Sequence, residues 1–219
     1  ESIIRPPATQ TDKEMPSEDL SRALEIGQLG VDITGYVLFS YRHLNDDIYV
    51  AYGDFATWVY EQLGLIVFCD ELWDVRARSG KDYVELNKMN KEQDLDGLED
   101  VEAAALKWND EALQGDGFVD WQSFDHPQLG PVEIGGWKRI LRNNAPVHLM
   151  EETCEKMSRF LIAHAQASPN LGAEIHQAEE ISEGVYRISV AVRNDGYLPT
   201  NVTQQAIKMN QAKPVEASI

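Results

Sequence analysis

Two adjacent carboxylates, Asp70 and Glu71, stand directly after the apolar run Leu65-Ile66-Val67-Phe68-Cys69. That run reads as a buried strand, and an acid at the end of a buried strand is costly to place. Two readings are open for Glu71: a strand-end carboxylate neutralised by an Arg or Lys, or a carboxylate kept there for its chemistry. Its neighbours favour the second, with a glycine, Gly53, and the aromatic pair Trp58 and Tyr60 upstream.

Other reactive groups point elsewhere. The five histidines, His43, His126, His148, His164 and His176, occur without any His-x-x-Glu, His-x-x-x-His or Cys pairing, so this chain alone offers no converging zinc ligands. His126, in FDHPQLG, reads as an organiser of its own loop. No GxSxG elbow, Walker loop or GxGxxG is present. GPVEIGGW is glycine-rich, but Glu133 would repel a phosphate, and a structural turn is the simpler reading. Asn201-Val202-Thr203 forms a glycosylation sequon, a motif that recurs by chance. Cys69 and Cys154, one possible pair, make no disulfide framework, and Cys69 reads as a small core residue.

The 219 residues suffice for one large domain, or a medium one with a small second unit, and 43% apolar residues predict a sizeable core. A net charge of −18 repels phosphate backbones and anionic membranes, so nucleic acid is not an expected partner. Acidity reads mostly as serving solubility, with attraction of basic substrates as the lesser alternative. No run reaches the length of a membrane span. The start, ESIIRPP, has neither an initiator Met nor a signal peptide and reads as the interior of something longer.

The elements that must position Glu71 follow from local signals. PSEDLSRALEIGQLG predicts a helix with Ser17 as N-cap, Glu18 and Asp19 in its first turn, and Gly27 or Gly30 as its stop. GYVLFSYRHL has strand composition, FATWVYEQLG is a short helix closed by Gly64, and residues 65–72 form the next strand. Residues 75–120 read as a surface excursion containing one good helix, LEDVEAAALKWNDEALQG, followed by a structured loop, DHPQLGPVEIGGW. PVHLMEETCEKMSRFLIAHAQASP is a second strong helix, with Leu149, Cys154, Met157, Phe160, Leu161 and Ala165 at core spacing. After Pro169 the pattern alternates at period two, with turns at Glu183-Gly184 and Asn194-Asp195-Gly196. The prediction is an α/β unit over 1–168, a mixed sheet flanked by helices, followed by a partial β-sandwich domain of three or four strands over 169–219.

The stretch YVAYGDFATWVYEQLGLIVFCDELWD resembles the carboxypeptidase A-like zinc carboxypeptidases, from their substrate-binding tyrosine to their catalytic glutamate. Tyr49, Gly53, Trp58-Val59-Tyr60 and Glu71-Leu72-Trp73-Asp74 fall in the family's order without a gap. SIIRPP resembles the strand after the family's last zinc histidine, and FDHPQLGPVEIGGW and VRNDGYLPT resemble a bacterial subgroup with a β-sandwich after the peptidase domain.

This resemblance implies a zinc-dependent hydrolase that removes residues from the C-termini of peptides or proteins. Glu71 matches the general base, which takes a proton from zinc-bound water and passes it to the leaving amine, and a raised pKa in a walled pocket suits that task. Tyr49 matches the lid tyrosine, with Tyr52 as a rival. Ile48, Ala51, Ala56 and Cys69 fall where the family lines its side-chain pocket, which would be mainly apolar, with Asp54 nearby. The zinc ligands and the substrate-binding arginines belong upstream of Glu1, so the partner implied is the N-terminal half of the same enzyme, and this chain alone is expected to be inactive. The resemblance implies a secreted or periplasmic location. Two rivals stand beside it: a non-catalytic interaction module that binds a partner or a cell-surface polymer, and a pseudo-peptidase.

Overall fold

The computed structural model describes residues 1–43 and 51–216. Its centre is a three-stranded sheet in the order β2-β1-β3, formed by β1 (Ser2–Arg5), β2 (Val37–Ser40) and β3 (Cys69–Glu71). β1 runs parallel to β2, with Ile3 opposite Leu38, and antiparallel to β3, with Ile3 opposite Asp70. The sheet is mixed, as predicted, and all four residues of β1 are buried.

Between β1 and β2 lies α1 (Ser17–Thr34). Its boundaries differ from the prediction at both ends. Pro16, at φ −53°, occupies the N-cap with no side-chain bond, and Ser17 is the first helical residue. The helix runs through Gly27 and Gly30 to stop at Gly35, whose N–H returns to the Val31 carbonyl. The interior glycines serve packing instead. A Cβ on Gly30 would stand 2.7 Å from Ile3 Cδ1 and from the Phe160 ring, so a bare backbone is what lets α1 lie close on the sheet.

After β2, α2 (Phe55–Trp58) continues as one π-helical turn, Val59–Leu63, to the predicted stop at Gly64. The strand expected over 65–72 pairs only at Cys69–Glu71. Leu65–Phe68 runs unladdered, and its side chains alternate: Ile66 and Phe68 pack on one side of the sheet, Val67 and Cys69 on the other. Both sides being covered accounts for the unbroken apolar run.

The excursion contains a 3₁₀ turn at Val75–Ser79, then α3 (Tyr83–Glu92), opened by an Asp82/Glu85 capping box, and α4 (Leu95–Leu113), capped by Asp94. It is not wholly superficial, because Val75, Leu86, Val101 and Ala105 are buried. The predicted loop 125–137 is instead the second half of a hairpin, β4 (Phe118–His126) and β5 (Gly130–Trp137). α5 (Arg139–Asn143) precedes α6 (Val147–Gln166). On α6, Met157 and Phe160 enter the core, whereas Cys154, Leu161 and Ala165 are exposed, since only one side of the helix meets α1 and the sheet.

Beyond Pro169 there is one antiparallel ribbon of two strands, β6 (Leu171–Ser182) and β7 (Val185–Asn194), turning at Glu183-Gly184 as predicted. Three or four strands were expected. The chain then returns to the α/β unit, where Leu198 is buried in the core beside Phe160, and α7 (Gln204–Lys208) docks on α1 and the π-turn. The Asn201-Val202-Thr203 sequon lies in this return, with Asn201 half-buried. Thr203 is fully buried and donates its hydroxyl to the Gly64 carbonyl at 2.5 Å, while Asn201 bonds the Thr203 carbonyl. Among the described residues, no helix is long and apolar enough to cross a membrane.

Candidate functional site

Glu71 closes β3, opposite Ser2, and its side chain is exposed. Cys69, two residues earlier, shares its face of the strand. On that face Cys69 packs with Ala51, Ala56, Ile4 and Ala8. α2 presents Ala56 there through a short chain of bonds: the Asp54 carboxylate accepts the Thr57 N–H at 2.7 Å, and the Thr57 hydroxyl accepts the Ala8 N–H at 2.9 Å. The result is a packed apolar cluster beside one exposed carboxylate. Ala51, Ala56, Cys69 and Glu71 therefore share one side of the sheet. Ile48 and Tyr49 lie outside the described residues, and Tyr52 is exposed.

Among the described residues, no Lys or Arg forms an ion pair with Glu71. The carboxylates around it have different fates. Asp74 is forked by Arg76, with bonds of 2.7 and 3.1 Å; burial pushes its pKa up, but these bonds outweigh it and hold Asp74 low. Asp70 points to the opposite side of the strand, among the residues beneath α1 and α6. Its Oδ1 is buried without a partner, and burial raises its pKa to about 6. The walled, partly dry setting expected for Glu71 belongs to its neighbour.

Tyr83, the first residue of α3, is a member of the Glu71 side that sequence reasoning missed. It stacks on Phe39 at 5.5 Å, and burial first, then the negative charge of Glu71, raises its pKa. The Asp82/Glu85 capping box marks where α3 begins, but nothing local announces that Tyr83 packs on Phe39. Nearby, the Arg78 guanidinium lies 4.7 Å above the Trp73 ring and pairs with Glu1.

Among the described residues, no group of three or more His, Cys, Asp or Glu side chains could hold a metal ion. His126 Nδ1 accepts the N–H groups of Gln128 and Leu129, both at 3.2 Å, and so organises its turn. His164 is enclosed between Phe160 and Phe68, and burial lowers its pKa. The residues present do not by themselves fit a zinc ion. Cys69 and Cys154 are both free thiols.

Comparison with known proteins reaches only the last part of the chain: the sequence model of a family described as "Domain of unknown function (DUF8731)" matches residues 171–219. No curated protein and no solved structure matches.

Proposed function

We propose that this chain supplies the base and the side-chain pocket of a zinc metallocarboxypeptidase, and that it hydrolyses C-terminal peptide bonds only together with the N-terminal half of that enzyme. The observation that carries the reading is the common face of Glu71 with Ala51, Ala56 and Cys69. A carboxylate with no ion pair to Lys or Arg among the described residues, beside a cluster of small apolar side chains, suits proton transfer next to a bound side chain. In this reading Glu71 takes the proton of the attacking water and delivers it to the departing amine. Ala51, Ala56 and Cys69 line the part of the site that takes the C-terminal side chain, and Tyr49 hydrogen-bonds the substrate. Residues outside this sequence hold the zinc, so the chain alone is inactive. The β-ribbon is then part of a β-sandwich following a carboxypeptidase-like α/β domain.

The test is release of the C-terminal residue from N-acylated peptides by the complete polypeptide with zinc. Glu71→Gln should lower kcat by about 10²–10⁴-fold with little change in KM. Undiminished activity in that variant removes Glu71 from the role. A second reading, a non-catalytic binding module, draws on the exposed ribbon. It requires partner binding that ignores both Glu71→Gln and chelators.

A further inference from the structure

The β6–β7 ribbon sorts its side chains by face. Its register sets Ile175 opposite Val190, Ala178 opposite Ile188 and Glu180 opposite Tyr186. Cross-strand partners share a face, as do residues two apart within a strand, so Leu171, Ile175, Tyr186, Ile188, Val190 and Val192 lie together. The other face sets Glu174 against Arg193 and Glu179 against Arg187, both pairs at 4.0 Å. One face suits water and the other suits burial. Nevertheless the six apolar residues are 47–68% exposed, and among the described residues the only element in extensive contact with either strand is the other strand. A two-stranded ribbon on its own is marginal in water, and a contiguous apolar patch of this extent is at the upper end of what a monomer exposes and is often an interaction site.

We propose that a second copy of this chain covers that face, so that two ribbons stack as a four-stranded sandwich with their apolar sides inward. The face is self-complementary. It bears no Lys or Arg, and its one carboxylate, Glu180, lies near the tip, where it accepts the Gly184 N–H. In an antiparallel twofold stack the two tips lie at opposite ends, and the Glu180 charges do not meet. The area is also sufficient. The six side chains expose on the order of 600 Å² per copy, so stacking removes roughly 1,200 Å² in total, the lower end of stable specific interfaces. The ribbon supplies half of a two-layer sandwich, and its mate supplies the other half at the usual spacing of about 10 Å. The inference does not depend on the proposed activity.

The test is sedimentation of the complete polypeptide at about 10–100 µM, the range in which a micromolar interface is populated. A dimer is expected, reduced to monomer by Ile188→Lys with an unchanged circular dichroism spectrum. In a Cys154→Ser background, Val190→Cys, near the midpoint of β7, should form a disulfide-linked dimer on air oxidation, whereas Arg187→Cys on the charged face should not. A monomer throughout that range overturns the proposal and leaves the face to another segment or partner. A dimer that survives Ile188→Lys overturns it too, because its interface then lies elsewhere.

Discussion

The carboxylate of Asp19, in the first turn of α1, accepts the backbone N–H of Gln204 at 2.7 Å, 185 residues further along the chain. Its second oxygen accepts the Gln205 N–H and the Tyr60 hydroxyl, each at 3.1 Å. One fully buried acid thus joins α1, the π-turn and α7. Asp19→Ala would leave two buried donors and one half-buried donor without an acceptor and should cost about 3 kcal/mol; Tyr60→Phe, which removes one donor, should cost about 1 kcal/mol. Urea unfolding of both variants measures this, and equal losses would contradict the shared role of the carboxylate.

Asp70 makes stability depend on pH. Its folded pKa, about 6, lies above the 3.8 of an ordinary aspartate. Its stabilising contribution is therefore complete below about pH 4 and is lost as pH rises through 6, where the buried group must ionise. Asp70→Asn should melt about 2–4 °C above the parent at pH 8. The gap should close at pH 4. A gap of the same size at both values would assign the effect to something other than ionisation.

His164 works from the other direction. Burial lowers its folded pKa below 6.5, outweighing a hydrogen bond to the Ile66 backbone. The unfolded chain therefore takes up the proton first, and stability falls as pH drops from 6.5 through the lowered folded value. His164→Gln should lose less stability than the parent between pH 7 and 5. Melting curves across that interval decide it, and parallel losses would exclude the histidine.

Gly64 and Gly35 separate backbone strain from steric contact. Both have positive φ, 67° and 75°. A Cβ on Gly35 meets nothing, whereas one on Gly64 falls 2.3 Å from the Ala206 backbone. Gly35→Ala should cost about 1 kcal/mol, the price of a left-handed alanine, and Gly64→Ala at least twice as much because α7 must move. Similar values for the two would mean that α7 is not seated on the π-turn.

What could be read from the sequence was local or periodic. Gly64 as a stop and Glu183-Gly184 as a turn depend on a few adjacent residues. The shared face of Cys69 and Glu71 follows from strand alternation alone. The misreadings arose where distant chain decides the outcome. Gly30 looks like a helix stop until Ile3 and Phe160 pack against it. Glycines around Pro131 imitate a loop, although Phe124 and Val132 pair across a hairpin. Asp70 and Glu71 are neighbours of one type, and only the layer beneath α1 and α6 distinguishes the half-buried acid from the exposed one. Nothing near Asp19 announces its partners at 204 and 205.

That remoteness bears on the order of synthesis. The ribosome releases α1 and the whole sheet long before Gln204 and Gln205 emerge, and at about 5–20 residues per second the wait is on the order of ten seconds or more. During that interval Asp19 has no α7 amides to accept, so α1 cannot seal its first turn away from water without stranding a charge. Completion of the α/β unit is thereby tied to delivery of residues 203–206, and nascent chains that stop short of them retain an open seam beside the π-turn for chaperones and proteases to find.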